Sequence, residues 1–126
     1  PSYLETYLER DVRSVANIGD LGTFRNFLRL CAGRVGQTLN YQSLAVEAGI
    51  SQPTLKKWLT VLDAGFVAFQ LQPYFENFSK RLVKSPKLYF YDTGLLCHLL
   101  DLNEPGQIES YHAKGSLFEN MVASEL

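Results

Sequence analysis

The sequence predicts a mainly α domain with one small β-hairpin, arranged as a winged helix-turn-helix with extra helices at its N- and C-terminal ends. Three observations predict it. Apolar residues recur at three- and four-residue spacing through most of the chain. The stretch SLAVEAGISQPTLKKWLTVLDAGFV, Ser43 to Val67, holds two such helices separated by a short glycine-containing break. Beyond Gly65 the apolar period falls to two, and a second β-rich run, KLYFYD, follows a long polar tip.

Taken in order, the elements are specified locally. Leu4, Leu8, Val12 and Val15 lie at helical spacing, and Gly19 ends that first amphipathic segment. Asp20 can cap a helix over 21–32, whose Phe24, Phe27, Leu28 and Cys31 fall on one face. Asn40 caps a short helix with Tyr41, Leu44, Ala45 and Ala48 inward, and Gly49 supplies the left-handed residue that stops it. Ser51 restarts a helix at once. Pro53 is tolerated in its first turn, and Leu55, Trp58, Leu59 and Leu62 form its buried stripe. In the strand that follows, Val67, Phe69 and Leu71 are expected on the inner face and Ala68 and Gln70 on the outer. Lys87–Asp92 would pair with it, leaving Gln72–Pro86 as the tip of the wing. Asp92 or Thr93 can cap a helix through Leu95, Leu96, Leu99 and Leu100. DLNEPGQIES reads as a polar linker, and a last helix begins between Ala113 and Ser116 with an apolar stripe of Leu117, Phe118, Met121, Val122 and Leu126. The expected divisions are therefore 1–19, a connecting helix; 20–101, the winged-helix domain; 102–112, a linker; and 113–126, the start of a further region.

Composition narrows the classes. At 126 residues, 46% hydrophobic and 13% aromatic, the chain can bury one sizeable core. A net charge of −1 argues against attachment to nucleic acid or anionic lipid by bulk charge. No apolar run approaches membrane-spanning length, so a cytoplasmic protein with no membrane partner is expected. Cys31 and Cys97, the two cysteines, are too few and too far apart for a disulfide scaffold or a CxxC site and read as reduced core thiols. With no opening Met and no cap after the last apolar stripe, the chain is expected to be a piece of a longer protein.

Charge distribution is more telling than its sum. Residues 54–87 carry a local balance of +4 and residues 88–126 one of −5. On the wheel of the second helix of the pair, Lys56, Lys57 and Thr60 oppose the apolar stripe, with Ser51 and Gln52 at its start. Lys80, Arg81 and Lys84 lie on the expected wing. A cationic helix face beside a cationic wing is the electrostatic footprint of a duplex binder, so double-stranded DNA is a candidate partner through these eight residues. Tyr74, Phe75 and Phe78 in the tip add rings that could stack, although at least two are expected to fold back on the core. The alternative is a protein-interaction or interdomain coupling module whose lysines are merely solvated. No P-loop GxxxxGK[ST] or HExxH is present, and His98 and His112 stand alone, so neither catalysis nor a metal site is expected.

YLETYLERDVRSVANIGDLGTFRNFLRLCAGRVGQTLN, LAVEAGISQPTLKKWLTVLDAGFV, KRLVKSPKLYFYDTGLLCHLL and GSLFENMVASEL, in that order, resemble the domain of unknown function that follows the ATPase module in a large family of bacterial and archaeal AAA+ type ATPases. The resemblance covers essentially the whole chain. It implies a parent in which an N-terminal P-loop module holds ATP and Mg, making that module a partner of this one, with no cofactor bound in this segment. It also implies that GSLFENMVASEL opens a region similar to the restriction-endonuclease-like fold, to whose first-helix glutamate Glu119 would correspond. Glu119 alone cannot support cleavage, because the acidic and lysine positions that would complete a metal site do not follow it here.

Overall fold

A computed structural model describes residues 20–72, 86–102 and 104–125. The expected connecting helix over 1–19 and the wing tip, including Tyr74, Phe75, Phe78, Lys80, Arg81 and Lys84, lie outside the described residues. What is described is mainly helical with one two-stranded antiparallel sheet: α1 Leu21–Ala32, α2 Tyr41–Ala48, α3 Gln52–Ala64, β1 Ala68–Leu71, β2 Lys87–Phe90, α4 Thr93–Leu99, α5 Pro105–Ser110 and α6 Lys114–Ser124.

Capping sets the helix starts where the sequence places them. Asp20 accepts from Thr23 N at 3.0 Å, Asn40 from Ser43 N at 2.9 Å and Ser51 from Thr54 N at 3.3 Å, each satisfying a donor that has no partner inside its helix. Asp92 does the same for α4 through Gly94 N and Leu95 N. Gly49, at φ 74°, ends α2 in the left-handed conformation, which lets Ile50 N bond back to Ala45 O at 3.0 Å. Three residues therefore turn α2 into α3.

One core joins these elements. Phe24, Phe27 and Leu28 of α1, Leu44 of α2, Leu55, Leu59 and Leu62 of α3, Leu88 and Phe90 of β2 and Leu96 of α4 are all buried in it. Trp58 packs edge-on against Phe24 and Phe27, with ring centroids 5.1 and 5.4 Å away. The loop after α1 closes on the sheet: Gly36 N donates to Leu88 O and Leu39 N to Pro86 O, both at 2.9 Å. Gly36 is left-handed at φ 75°, and a Cβ there would stand 3.4 Å from Ser116 of α6, so the turn suits glycine on both counts. Cys31 is buried and Cys97 half-buried, both as free thiols.

Three expectations are corrected. In the register Ala68 to Phe90, Phe69 to Tyr89 and Gln70 to Leu88, Val67 is buried as predicted, but Ala68 is buried as well, Phe69 and Gln70 are both half-buried and Leu71 is exposed, so burial does not follow the predicted alternation. Alternation gives the period of a strand but not which residues are covered. Here Leu88, Tyr89 and Phe90 of β2 are all buried, and the small Ala68 sits opposite Phe90. The polar linker contains a helix, α5, because Glu104 N donates to Gln107 Oε1 at 2.9 Å, proline stands in the first turn and Ile108 packs on the core. Finally, α6 is rotated from its predicted stripe: Leu117, Asn120 and Ala123 are buried, whereas Phe118, Met121 and Val122 are exposed.

Candidate nucleic-acid interface

Helix α3 positions four of the eight candidate contact residues, and a fifth, Ser51, is its N-cap. Burial of Leu55, Trp58, Leu59 and Leu62 fixes its rotation, so Gln52, Pro53, Lys56, Lys57 and Thr60 face outward, as the wheel predicts. No acid occupies the first turn. Neither lysine makes an ion pair with a described residue. Lys56 Nζ lies 5.7 Å from the centre of the Tyr41 ring, whose hydroxyl donates to Gln70 Oε1 at 2.6 Å, so α2 and β1 together hold this cation at the helix edge. Lys57 projects into solvent.

The two hydroxyls are less available than the sequence implies. Ser51 Oγ accepts from Thr54 N and donates to Thr54 Oγ1 at 3.0 Å, which makes it a cap first. Thr60 Oγ1 donates to Lys56 O at 3.1 Å, a back-bond typical of hydroxyls within helices. Below Thr60 an open cleft of about 400 Å³ separates α3 from the sheet, with Thr60, Asp63 and Gln70 at its polar points and Leu59, Ala68 and Leu88 among its apolar ones. Lys80, Arg81 and Lys84 remain outside the described residues, so their relation to α3 is a matter of sequence order alone.

A second polar group sits where β2 meets α6. The Tyr89 hydroxyl donates to Glu119, and Lys87 Nζ lies 3.3 Å from Glu119 Oε2. Burial, then the bond to Glu119, pushes the Tyr89 phenol up to about 12. The same bond, with Lys87 behind it, holds the Glu119 carboxyl below its usual range. Lys87, counted above in the cationic segment, is therefore neutralised locally. Next to it, Asn120 Oδ1 accepts from Phe90 N at 2.6 Å and Nδ2 donates to Phe90 O at 3.1 Å and to Thr93 Oγ1 at 3.1 Å. The amide thus occupies the hydrogen-bonding edge of β2 as a neighbouring strand would. Sequence reasoning named Glu119 for another role and passed over Asn120; the signal was an amide set three residues from both Leu117 and Ala123 on one face of the helix. Among the described residues no group of His, Cys, Asp and Glu could hold a metal ion, and no helix is long and apolar enough to cross a membrane.

Residues 1–106 match the family described as domain of unknown function DUF8612. The chain belongs to that family. Two curated relatives, uncharacterized proteins of Mycobacterium bovis and Mycobacterium tuberculosis, are each 33% identical over 124 residues, which is 98% of this chain. This DUF8612 chain spans 28% of the length of those relatives. No solved structure matches it. In DUF8612 terms, α1 to α4 and the sheet fall within the matched segment, whereas Glu119 and Asn120 lie beyond it.

Proposed function

We propose that this chain is a winged-helix module that binds duplex DNA through the N-terminal half of α3 and does no chemistry itself. The observation that carries the reading is the outward face of α3, where Gln52, Lys56 and Lys57 stand together with no acid in the first turn and a rigid apolar stripe behind them. The positive end of a helix macrodipole adds to those two cations and favours a phosphate there. The β1–β2 hairpin follows α3 as a wing would, and Lys80, Arg81 and Lys84 sit in its connection by sequence. Contacts of this kind position a protein on a duplex without reading much sequence, so the affinity should be weak and governed by salt.

Within a longer chain, the resemblance to AAA+ type ATPases makes this module the part that places DNA relative to a P-loop domain, where ATP and Mg would bind. The length of the curated relatives leaves room for such a domain. A coupling role with no nucleic acid is the second reading, and it is favoured by α6, whose Phe118, Met121 and Val122 are 52, 47 and 66% exposed, an apolar face suited to another domain. Fluorescence anisotropy with a random-sequence duplex separates the two. The DNA reading expects binding that weakens when Lys56→Ala and Lys57→Ala are combined; absence of binding at low salt leaves the coupling reading standing.

A further inference from the structure

At the opposite end of α3 the surface changes character. Phe66 follows the C-cap Gly65 and adopts φ 58°, a left-handed conformation that suits glycine or asparagine and strains a phenylalanine. Its ring is 73% exposed and so contributes little to the core. What it touches is Tyr91, edge to face at 5.7 Å, and Tyr91 in turn lies 4.6 Å from Phe69. Tyr91 is itself 37% exposed and is held in place by its hydroxyl, which donates to Asp63 Oδ1 at 2.7 Å. Among the described residues the second carboxylate oxygen of Asp63 has no partner.

The segments that carry these rings hold no cation of their own, and Lys87, which precedes the second of them, is paired with Glu119. Residues 58–71 and 88–97 contain no lysine or arginine, and their two ionisable acids are Asp63 and Asp92. Asp92 is turned into the α4 cap, which leaves Asp63 as the carboxylate beside the rings. Exposed π-faces next to a half-satisfied carboxylate suit a guanidinium, which can stack on the rings and donate to the free oxygen at the same time. The same arrangement repels phosphate. It also lies roughly 10 Å along α3 from Lys56, about two turns away, so it is separate from the proposed duplex contact and does not depend on it.

We propose that Phe66, Tyr91 and Asp63 form a docking site for an arginine side chain on a basic segment of a protein partner, and that a phenylalanine stands at this left-handed position, which the bonds Phe66 N to Asp63 O and Val67 N to Leu62 O require at the end of α3, because its ring is needed there. The probe is an acetylated and amidated Gly-Arg-Gly-Arg-Gly peptide, titrated into the 15N-labelled protein with a Gln-for-Arg peptide as control. Saturable shifts of the Phe66, Val67 and Tyr91 amides with the Arg peptide alone are expected. Phe66→Gly should weaken that binding by about fivefold or more while leaving the melting temperature equal or higher, since the backbone is relieved. Asp63→Asn should weaken it similarly. Equal binding of the Gln peptide, unchanged binding by Phe66→Gly, or a clear fall in its melting temperature would each overturn the assignment. A duplex oligonucleotide that shifts these same amides would reassign the surface to nucleic acid and overturn it too. Duplex shifts confined to the start of α3 support the separation of the two sites, and loss of duplex binding alone removes the DNA reading while this one stands.

Discussion

Trp58 lies against two phenylalanine rings of α1 and is buried with them. Truncation to alanine would leave a cavity that this closely packed junction cannot fill, so a loss of ~3–5 kcal/mol is expected in denaturant melts. Lys57→Ala, one position away and in solvent, should stay within about ±0.5 kcal/mol. If the two results were exchanged, α3 would be rotated and its cationic face turned inward. Asn120→Leu tests a different mechanism: it strands a buried N–H and C=O of Phe90, each worth about 1–3 kcal/mol when unsatisfied, and should lower the urea midpoint with little change in slope. The Tyr89–Glu119 pair adds a pH signature. Tyr89 has a folded pKa raised from 10.0 to about 12, so its contribution is complete below pH 10.0 and fades as the pH rises toward about 12. Glu119 has a lowered one, so its contribution is complete above its ordinary value of 4.5 and is lost as the pH falls through the depressed pKa. Tyr89→Phe should flatten the alkaline limb of a stability profile relative to the wild type and reduce the acid one; an unchanged alkaline limb would show that this phenol does not carry it.

At the scale of elements, what the sequence made legible was whatever local chemistry decides. Asp20, Asn40, Ser51 and Asp92 each cap the helix they were read to cap, because a side-chain acceptor needs only its own next turn. The rotation of α3 was legible for a related reason: four large apolar residues leave a helix one way to lie. The α6 stripe was not legible, since Phe118, Met121 and Val122 outweigh Leu117 and Ala123 in any hydrophobic count while the buried position belongs to an asparagine whose partner, Phe90, is thirty residues away. Likewise the burial along β1 depends on its partners Leu88, Tyr89 and Phe90 across the sheet, not on β1 alone. The exposed α6 face gives an element-scale prediction. If it receives another domain, Val122→Asp should barely alter the melting of this chain, within about ±0.5 kcal/mol, yet reduce association when the neighbouring domain of a longer relative is supplied in trans. A stability loss of several times that size would place Val122 in the core instead.

Over the whole molecule, one core binds helices and sheet while the two ends of α3 offer opposite chemistry, cations at the start and rings with a carboxylate at the end. On the proposed reading, the first end would hold an anionic backbone and the second a cationic protein segment. The candidate contacts on α3 were legible in the sequence because helical spacing alone groups them; the hydroxyl commitments of Ser51 and Thr60 and the ring site at Phe66 were not, because they depend on backbone geometry and on Tyr91 from another element. The central claim is that Lys56 and Lys57 meet DNA phosphates. Each phosphate neutralised adds about 0.9 to the slope of log affinity against log salt, so combining Lys56→Ala with Lys57→Ala should lower that slope by about 1.8 on a random-sequence duplex. Parallel salt slopes for the wild type and the double variant would contradict the claim outright.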